Sequence, residues 1–375
     1  MRFAIDATSI PRQMAGAGVY TYNLIRALAA VDRENEYVVF TKSDAFDDLN
    51  REDPPFRTIH VSLGSRPARL LWEQFALPIH LRRRKIDVLH SPHHTAPLVV
   101  AGSRRVVTFH DLTFFILPDR YPRKRRIYFQ SVSRATARVA AALICPSQAV
   151  RDDIVRILHV RPEKVHPIAE AAAPEFQPIK DKAALAQLRS RYGLPDRFIL
   201  SVGSLEPGKN RTTLLKAYAE LRKRGLEQKL VVAGQRAWKF DGDLELVEDL
   251  GLQEDVLFTG YVMPEEMPAL YNAADLFVFP SLYEGFGLPV IEAMACGVPV
   301  VASNVSAIPE FASEAALLID PRDAEQLCDS MERILRDKRL AATLKRRGIE
   351  RAKEFSWERA ARETVAVYQE VAAKR

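Results

Sequence analysis

The sequence predicts an α/β protein built from two successive, mainly parallel sheets, each flanked by helices. Short apolar strands alternate with helical stretches through the first half, the same alternation returns in the second half, and an Ala-, Pro- and Glu-rich stretch at 167–178 separates them. A chain of 375 residues has the length for two domains, each with its own core.

In the first half the strand-like runs are 3–7, 37–41, 58–61, 88–90, 106–109, 143–145 and 165–168. Ligands on parallel sheets bind beyond the carboxyl ends of the strands, so the loops after strands are where chemistry belongs. The first such loop holds Gly16 and Gly18 ahead of an amphipathic pattern at 19–31. It lacks the third glycine of a dinucleotide fingerprint, and a helix-start turn explains it. His90, His93 and His94 invite a metal reading, but no cysteine or carboxylate completes a ligand spacing. His110 and Asp111 end the strand at 106–109, and Asp111 also reads as a cap for the segment that follows.

The second half repeats the rhythm at 198–202, 229–233, 256–259, 276–279, 298–302 and 317–319. The loop Gly203-Ser204-Leu205-Glu206-Pro207-Gly208-Lys209-Asn210 precedes a helical stretch at 212–222 and nearly spells a P-loop. Three substitutions argue against an NTPase. Asn210 replaces the hydroxyl that would hold magnesium, Pro207 removes a backbone donor, and Glu206 adds negative charge. Asp241-Gly242-Asp243 precedes the helical pattern 244–250 and is expected to cap it rather than to hold a metal.

The most informative loop follows the strand at 276–279. Gly285 and Gly287 place backbone N–H groups beside a helix start, with Pro289 expected at the first helical position. Such a start attracts phosphate. Glu284 and Glu292 frame it, and a carboxylate there is suited to accepting hydrogen bonds from hydroxyls. A nucleotide sugar supplies both kinds of partner. By spacing alone, a solvated Glu284 and a surface Glu292 on an ordinary βα unit fit equally well.

The run from Glu284-Gly285-Phe286-Gly287 through Glu292, with Ala273-Ala274-Asp275 and Pro280-Ser281 before it and Gly297-Val298-Pro299-Val300 after it, resembles the E-x7-E signature of the retaining glycosyltransferases of family four. The resemblance implies the GT-B fold: two Rossmann-like domains facing a central cleft, with a C-terminal helix crossing back. Residues 1–170 with 356–375 would form the acceptor domain, and 171–355 the donor domain. It implies that Glu284 contacts the donor sugar, Glu292 the ribose, and Gly203, Ser204, Lys209 and the Gly285, Phe286, Gly287 and Leu288 backbone the diphosphate. Gly16, Gly18, His110 and Asp111 would line the cleft, with His110 near the reacting sugar. The chain departs from the family pattern where Ser204 and Gly208 stand at positions that often carry arginine, with Arg211 a candidate substitute.

Val202 to Pro207 and the opening Ile5-Asp6-Ala7 resemble mannosyltransferases of bacterial surface polysaccharide synthesis. GDP-mannose is the implied donor, with UDP-glucose and dTDP-rhamnose as alternatives, and a glycan or lipid-linked acceptor. No cofactor or obligatory metal is implied. A sugar-nucleotide epimerase or a non-catalytic binder could share the fold.

The chain's net charge of +6 is uneven. Residues 1–170 hold 26 Lys and Arg against 17 Asp and Glu, whereas 171–375 hold 28 against 31. The excess gathers at Arg82-Arg83-Arg84-Lys85 and Arg123-Lys124-Arg125-Arg126, which read either as solvated helix faces or as a surface for an anionic membrane. No nucleic-acid motif accompanies them. No run of 18 apolar residues and no signal-peptide pattern is present, so a cytoplasmic or peripheral location is expected. The three cysteines show no pairing pattern and are expected to pack as small apolar side chains.

Overall fold

The computed structural model describes residues 1–11, 14, 16–235 and 241–374, apart from the side chain of Asp241. The chain divides into two compact units, Met1–Glu170 with Ser356–Arg375, and Ala171–Phe355.

The first unit holds β1 (Arg2–Asp6), β2 (Glu36–Thr41), β3 (Arg51–Glu52), β4 (Pro55–His60), β5 (Val88–Ser91), β6 (Arg104–Thr108), β7 (Ala142–Cys145) and β8 (Val165–Pro167), in the order β3-β4-β2-β1-β5-β6-β7-β8. Every pairing is parallel except β3 with β4. Continuous apolar strands such as Phe3-Ala4-Ile5 are buried, as a sheet covered on both faces requires. Helix α1 (Ala17–Val31) covers one face, and the C-terminal helix Trp357–Ala373 packs beside it, with Tyr20 edge-on to Trp357 and Tyr368 edge-on to Phe3.

The second unit holds β9 (Phe198–Val202), β10 (Lys229–Ala233), β11 (Val256–Gly260), β12 (Leu276–Phe279), β13 (Val300–Ser303) and β14 (Leu317–Ile319), in the order β11-β10-β9-β12-β13-β14 and wholly parallel. Its core gathers Ile199, Leu214, Tyr218, Leu230, Leu276 and Val301 with Leu327 and Met331 from the helix Ala324–Arg336.

Strand order reverses at β1/β5 in the first unit and at β9/β12 in the second, which is where loops part to leave room for ligands. All three cysteines are buried and free.

Several local expectations shift. Gly18 lies inside α1 rather than before it, and a Cβ on it would stand 3.3 Å from Pro11 Cδ. Strand β13 begins at Val300, after Pro299, which has no N–H to give the ladder. Helix Asp241–Asp249 already includes the Asp-Gly-Asp run, so Asp243 is a first-turn residue. The expected Asp241 cap lies outside the described side chains.

Candidate active site

In the second unit, β9 and β12 bring the two informative loops together. The loop after β9 turns through a 3₁₀ segment, Pro207–Lys209, and enters the helix Arg211–Lys223. Its floor is the next strand's exit: Gly203 N–H donates to Ala233 O at 2.9 Å, and a Cβ on Gly234 would lie 2.0 Å from Gly203 O. Only glycine permits that approach. Asn210 then clamps the loop, its side-chain amide donating to Pro280 O at 2.9 Å and also to Pro321 O. The Asn210 side chain is thus engaged with backbone carbonyls, and a 3₁₀ turn led by Pro207 stands where a P-loop would curl around phosphate.

The loop after β12 leads into the helix Leu288–Ala295. Leu288 is its first residue and Pro289 its second, a correction of one position, because Gly287 at φ 109° serves as the cap. Phe286 stacks on Phe311 with ring centres 4.9 Å apart, fixing the loop from beneath. At this helix start Pro289 brings no N–H and the Val290 N–H donates to Gly287 O at 2.9 Å, so the donors a ligand could meet belong to the loop that precedes Pro289.

Lys209 and Glu284 meet across these loops, Lys209 Nζ donating to Glu284 Oε1 at 2.6 Å. Both side chains are less than one-fifth exposed, and the ammonium lies 4.9 Å from the centre of the Phe279 ring. The Glu284 N–H donates to Ser306 Oγ at 2.9 Å. Glu292 is buried one turn into the helix and accepts from the Tyr271 hydroxyl at 2.8 Å. Burial, with Glu292 beside it, pushes the Tyr271 phenol well above its ordinary range, so it stays a donor. Glu292 is therefore not the surface residue that spacing alone allowed.

Arg211 does not fill the place of the absent arginine. It is buried, its guanidinium paired with Asp243 and bonded to Ser204 O at 3.2 Å. Gly203, Ser204, Lys209, Glu284, Gly285, Phe286, Gly287, Leu288 and Glu292 all fall on these two loops and the helix they enter.

The first unit arranges its polar groups differently. At the end of β6, His110 is flanked by Pro92 O at 3.1 Å from Nε2 and Glu170 Oε1 at 3.5 Å from Nδ1, with the Tyr20 ring edge-on at 4.7 Å. Burial disfavours its charge, but the Glu170 carboxylate and the Pro92 carbonyl outweigh this and raise its pKa. Asp111 accepts from Thr113 N at 2.8 Å and Thr113 Oγ1 at 2.6 Å, a turn one residue before the helix Thr113–Ile116, whose cap position is Leu112 rather than the expected Asp111. Gly16, at φ 46°, is the N-terminal cap of α1.

At the β1/β5 reversal the structure assembles what no motif announced. Arg69 Nη1 donates to Glu73 Oε2 at 2.9 Å and lies 3.8 Å from Asp6 Oδ2. His93 Nε2 is 3.3 Å from Glu73 Oε2, and Thr95 Oγ1 donates to the same oxygen at 2.7 Å. Asp6 and Glu73 are fully buried, and Asp6 Oδ2 has no hydrogen-bond partner among the described residues. Burial opposes the Glu73 charge, but His93, Arg69 and Thr95 together hold it well below the usual carboxylate range. His93, Asp6 and Glu73 thus share one cluster, with the Arg69 guanidinium as its cation. His90 takes no part, since it pairs with Tyr368 and Thr108 in the core. Beside this end of the sheet a cavity of about 770 Å³ is lined by Ala7, Thr41, Lys42, Ser43, His60 and Ser62 among others.

Sequence reading missed Glu170, Ser306, Tyr271 and the Arg69–Glu73 pair. Only Glu73 left a signal: it stands four and eight residues before Leu77 and Leu81, on the face that both leucines bury.

Two doubly wound units in one chain, the second with a lysine–carboxylate pair where its strand order reverses, define a GT-B glycosyltransferase. The chain belongs to glycosyltransferase family four: residues 14–172 match the description "Glycosyltransferase Family 4" and residues 188–351 match "Glycosyl transferases group 1". It is 31% identical to O-antigen chain mannosyltransferase B of Escherichia coli over 98% of both chains. It is also 31% identical to the MMP alpha-(1->4)-mannosyltransferase of Mycolicibacterium hassiacum, over 100% of this chain and 99% of that one. Its fold matches sucrose-phosphate synthase from Thermosynechococcus elongatus with a TM-score of 0.79 at 24% identity over the whole of both chains. It matches Anabaena Alr3699/HepE in complex with UDP and glucose with a TM-score of 0.76 at 20% identity, covering 98% and 99%.

Proposed function

We propose that the chain transfers mannose from GDP-mannose, with retention, to a glycan or lipid-linked acceptor in cell-surface polysaccharide synthesis. The observation that carries the reading is the Lys209–Glu284 pair at the β9/β12 reversal, with Glu292 and the glycine-capped helix beside it. In this reading the donor diphosphate draws Lys209 Nζ away from Glu284 and lies against the backbone of residues 285–288 at the helix start. Glu284 then accepts from the sugar hydroxyls, and Glu292, oriented by the Tyr271 hydroxyl, accepts from the ribose. Fixed positive charge and backbone dipoles stabilise the departing diphosphate, without an obligatory metal. The acceptor side is the β1/β5/β6 end of the first unit, with His110 in a positioning role. The similarity to O-antigen and other mannosyltransferases supports mannose, and the basic first unit suits work at the inner face of a membrane.

Thermal unfolding against GDP, UDP, dTDP, ADP and ATP, each with magnesium or EDTA, tests this. A ligand at about 100 times its dissociation constant adds about 2.7 kcal/mol. Stabilisation by GDP in EDTA is the expected outcome. UDP or dTDP in its place would change the donor, and magnesium-dependent stabilisation by ATP alone would overturn the reading.

A further inference from the structure

The helical segment at 66–83 wears its side chains inside out. It runs from the α-helix Arg66–Leu71 through a π-helical turn, Trp72–Ala76, into the α-helix Leu77–Arg83. Its inward face buries Glu73, Leu77 and Leu81. Its outward face carries Leu71, Phe75 and Ile79, which are 61%, 69% and 53% exposed. Glu73 is held inside by Arg69, Thr95 and Gln74, so the helix cannot roll to hide Phe75 without pulling a carboxylate out of its partners. Three large apolar side chains at four-residue spacing make a stripe about 12 Å long.

The stripe has neighbours of the same kind. Leu98 N–H donates to Gln74 Oε1 at 3.0 Å, which sets Leu98 and Val99, 42% and 82% exposed, against the segment. Tyr128, on the helix Arg123–Val139, is within electrostatic reach of Glu73 and Arg69, and it and Ile127 are also exposed. An exposed apolar surface of this extent marks an interaction site.

The charge around it names the partner. Residues 66–85 contain six Lys and Arg and one carboxylate, the buried Glu73. Residues 123–139 contain six Lys and Arg and no carboxylate. A second copy of the chain meeting this face would set cations against cations. An anionic bilayer reverses the sign: headgroup phosphates meet the arginines, and apolar side chains enter the acyl boundary.

We infer that the outward face of residues 66–83, with the adjoining Leu98–Val99 loop and the basic start of the helix Arg123–Val139, docks in the plane of an anionic lipid membrane. This deepens the acceptor reading above, on which its purpose rests. One helix would hold Arg69 and Glu73 to the β1/β5 end on its inner side and lipid on its outer side, bringing a lipid-borne acceptor to that end of the sheet.

Vesicle co-sedimentation of the full chain tests it, with phosphatidylcholine alone and with an equimolar mixture of phosphatidylcholine and phosphatidylglycerol. The parent protein should sediment with the mixture and not with phosphatidylcholine. The combined variant Leu71→Ser, Phe75→Ser, Ile79→Ser should lose binding by about tenfold or more while its unfolding midpoint stays level or rises. Arg82→Glu with Arg83→Glu should lose it too. Undiminished binding by the triple variant, or no binding by the parent, overturns the inference. So does a parent dimer that the triple variant turns to monomer without any vesicle binding, which would assign the face to a second copy. The stabilisation by GDP, read separately on the same variants, should not change. Its absence in the parent would sink the donor assignment while leaving the vesicle result to judge the surface.

Discussion

The two units place charge at the same topological position, the reversal of strand order, and use it in opposite ways. At β9/β12 one lysine and one carboxylate meet at a partly open surface, supported by a helix start and glycine-shaped loops. At β1/β5 two carboxylates, an arginine and a histidine are drawn from three separate stretches of chain and buried together. The first arrangement leaves a charge pair that an incoming ligand can divide. The second is committed to holding its own elements in register, because a buried charge is tolerable only among partners.

This contrast can be broken most directly at Lys209 and Glu284. Glu284→Ala should lower turnover by about 10²–10³-fold with little change in unfolding midpoint. Near-parent turnover would remove the pair from the chemistry and make the two reversals alike. Glu73→Ala should do the reverse. It removes the nearest carboxylate from Arg69, His93 and Thr95, leaving Arg69 only Asp6 at 3.8 Å, and should cost about 3–5 kcal/mol of stability, measured by urea unfolding. A loss below about 1 kcal/mol would show that the network is not holding the fold.

A smaller effect sharpens the comparison through pH. All eight histidines of the chain, from His60 to His166, lie in the first unit and none in the second. Burial among Phe109, Phe114 and Phe129 lowers His94 to about 4. The unfolded chain therefore binds a proton that the folded chain refuses, and stability falls as pH drops from about 6.5 toward 4. His110 has the opposite sign. Its pKa is raised, so its contribution is full below about 6.5 and is lost as pH rises through the raised value. His94→Phe should flatten the acid limb of the stability profile, and His110→Gln should cost more at pH 6 than at pH 8. Equal costs at both pH values would mean that Glu170 does not hold a charged imidazole.

The same contrast explains what the sequence let one read. The alternation of apolar and helical stretches located every strand of both sheets except the two-residue β3, because strands buried on both faces need continuous apolar runs. The loops at 203–210 and 281–292 were legible because each packs turn residues, glycines and its polar groups into a dozen positions or fewer. The Arg69–Glu73–His93–Asp6 network was not, since Arg69 and Glu73 read as an ordinary i, i+4 pair on one helical segment and only the topology of β1 and β5 brings Asp6 and His93 to it. Arg211 shows the limit from the other direction. Its place beside Lys209 suggested a phosphate contact, whereas its guanidinium turns inward to Asp243. Position along the chain does not say which way a long side chain folds.

The return of the last helix to the first unit has a consequence for how the chain comes into being. Tyr368 supplies the hydroxyl that meets His90 and the ring that packs on Phe3, so the opening strand of the protein is finished by residues made more than 360 positions later. A nascent chain can close the second unit from its own contiguous stretch while the first still lacks a wall. The second unit can therefore be completed before the first, although it is made later. The unit that waits for residues 356–375 is the one that carries the exposed Leu71, Phe75 and Ile79.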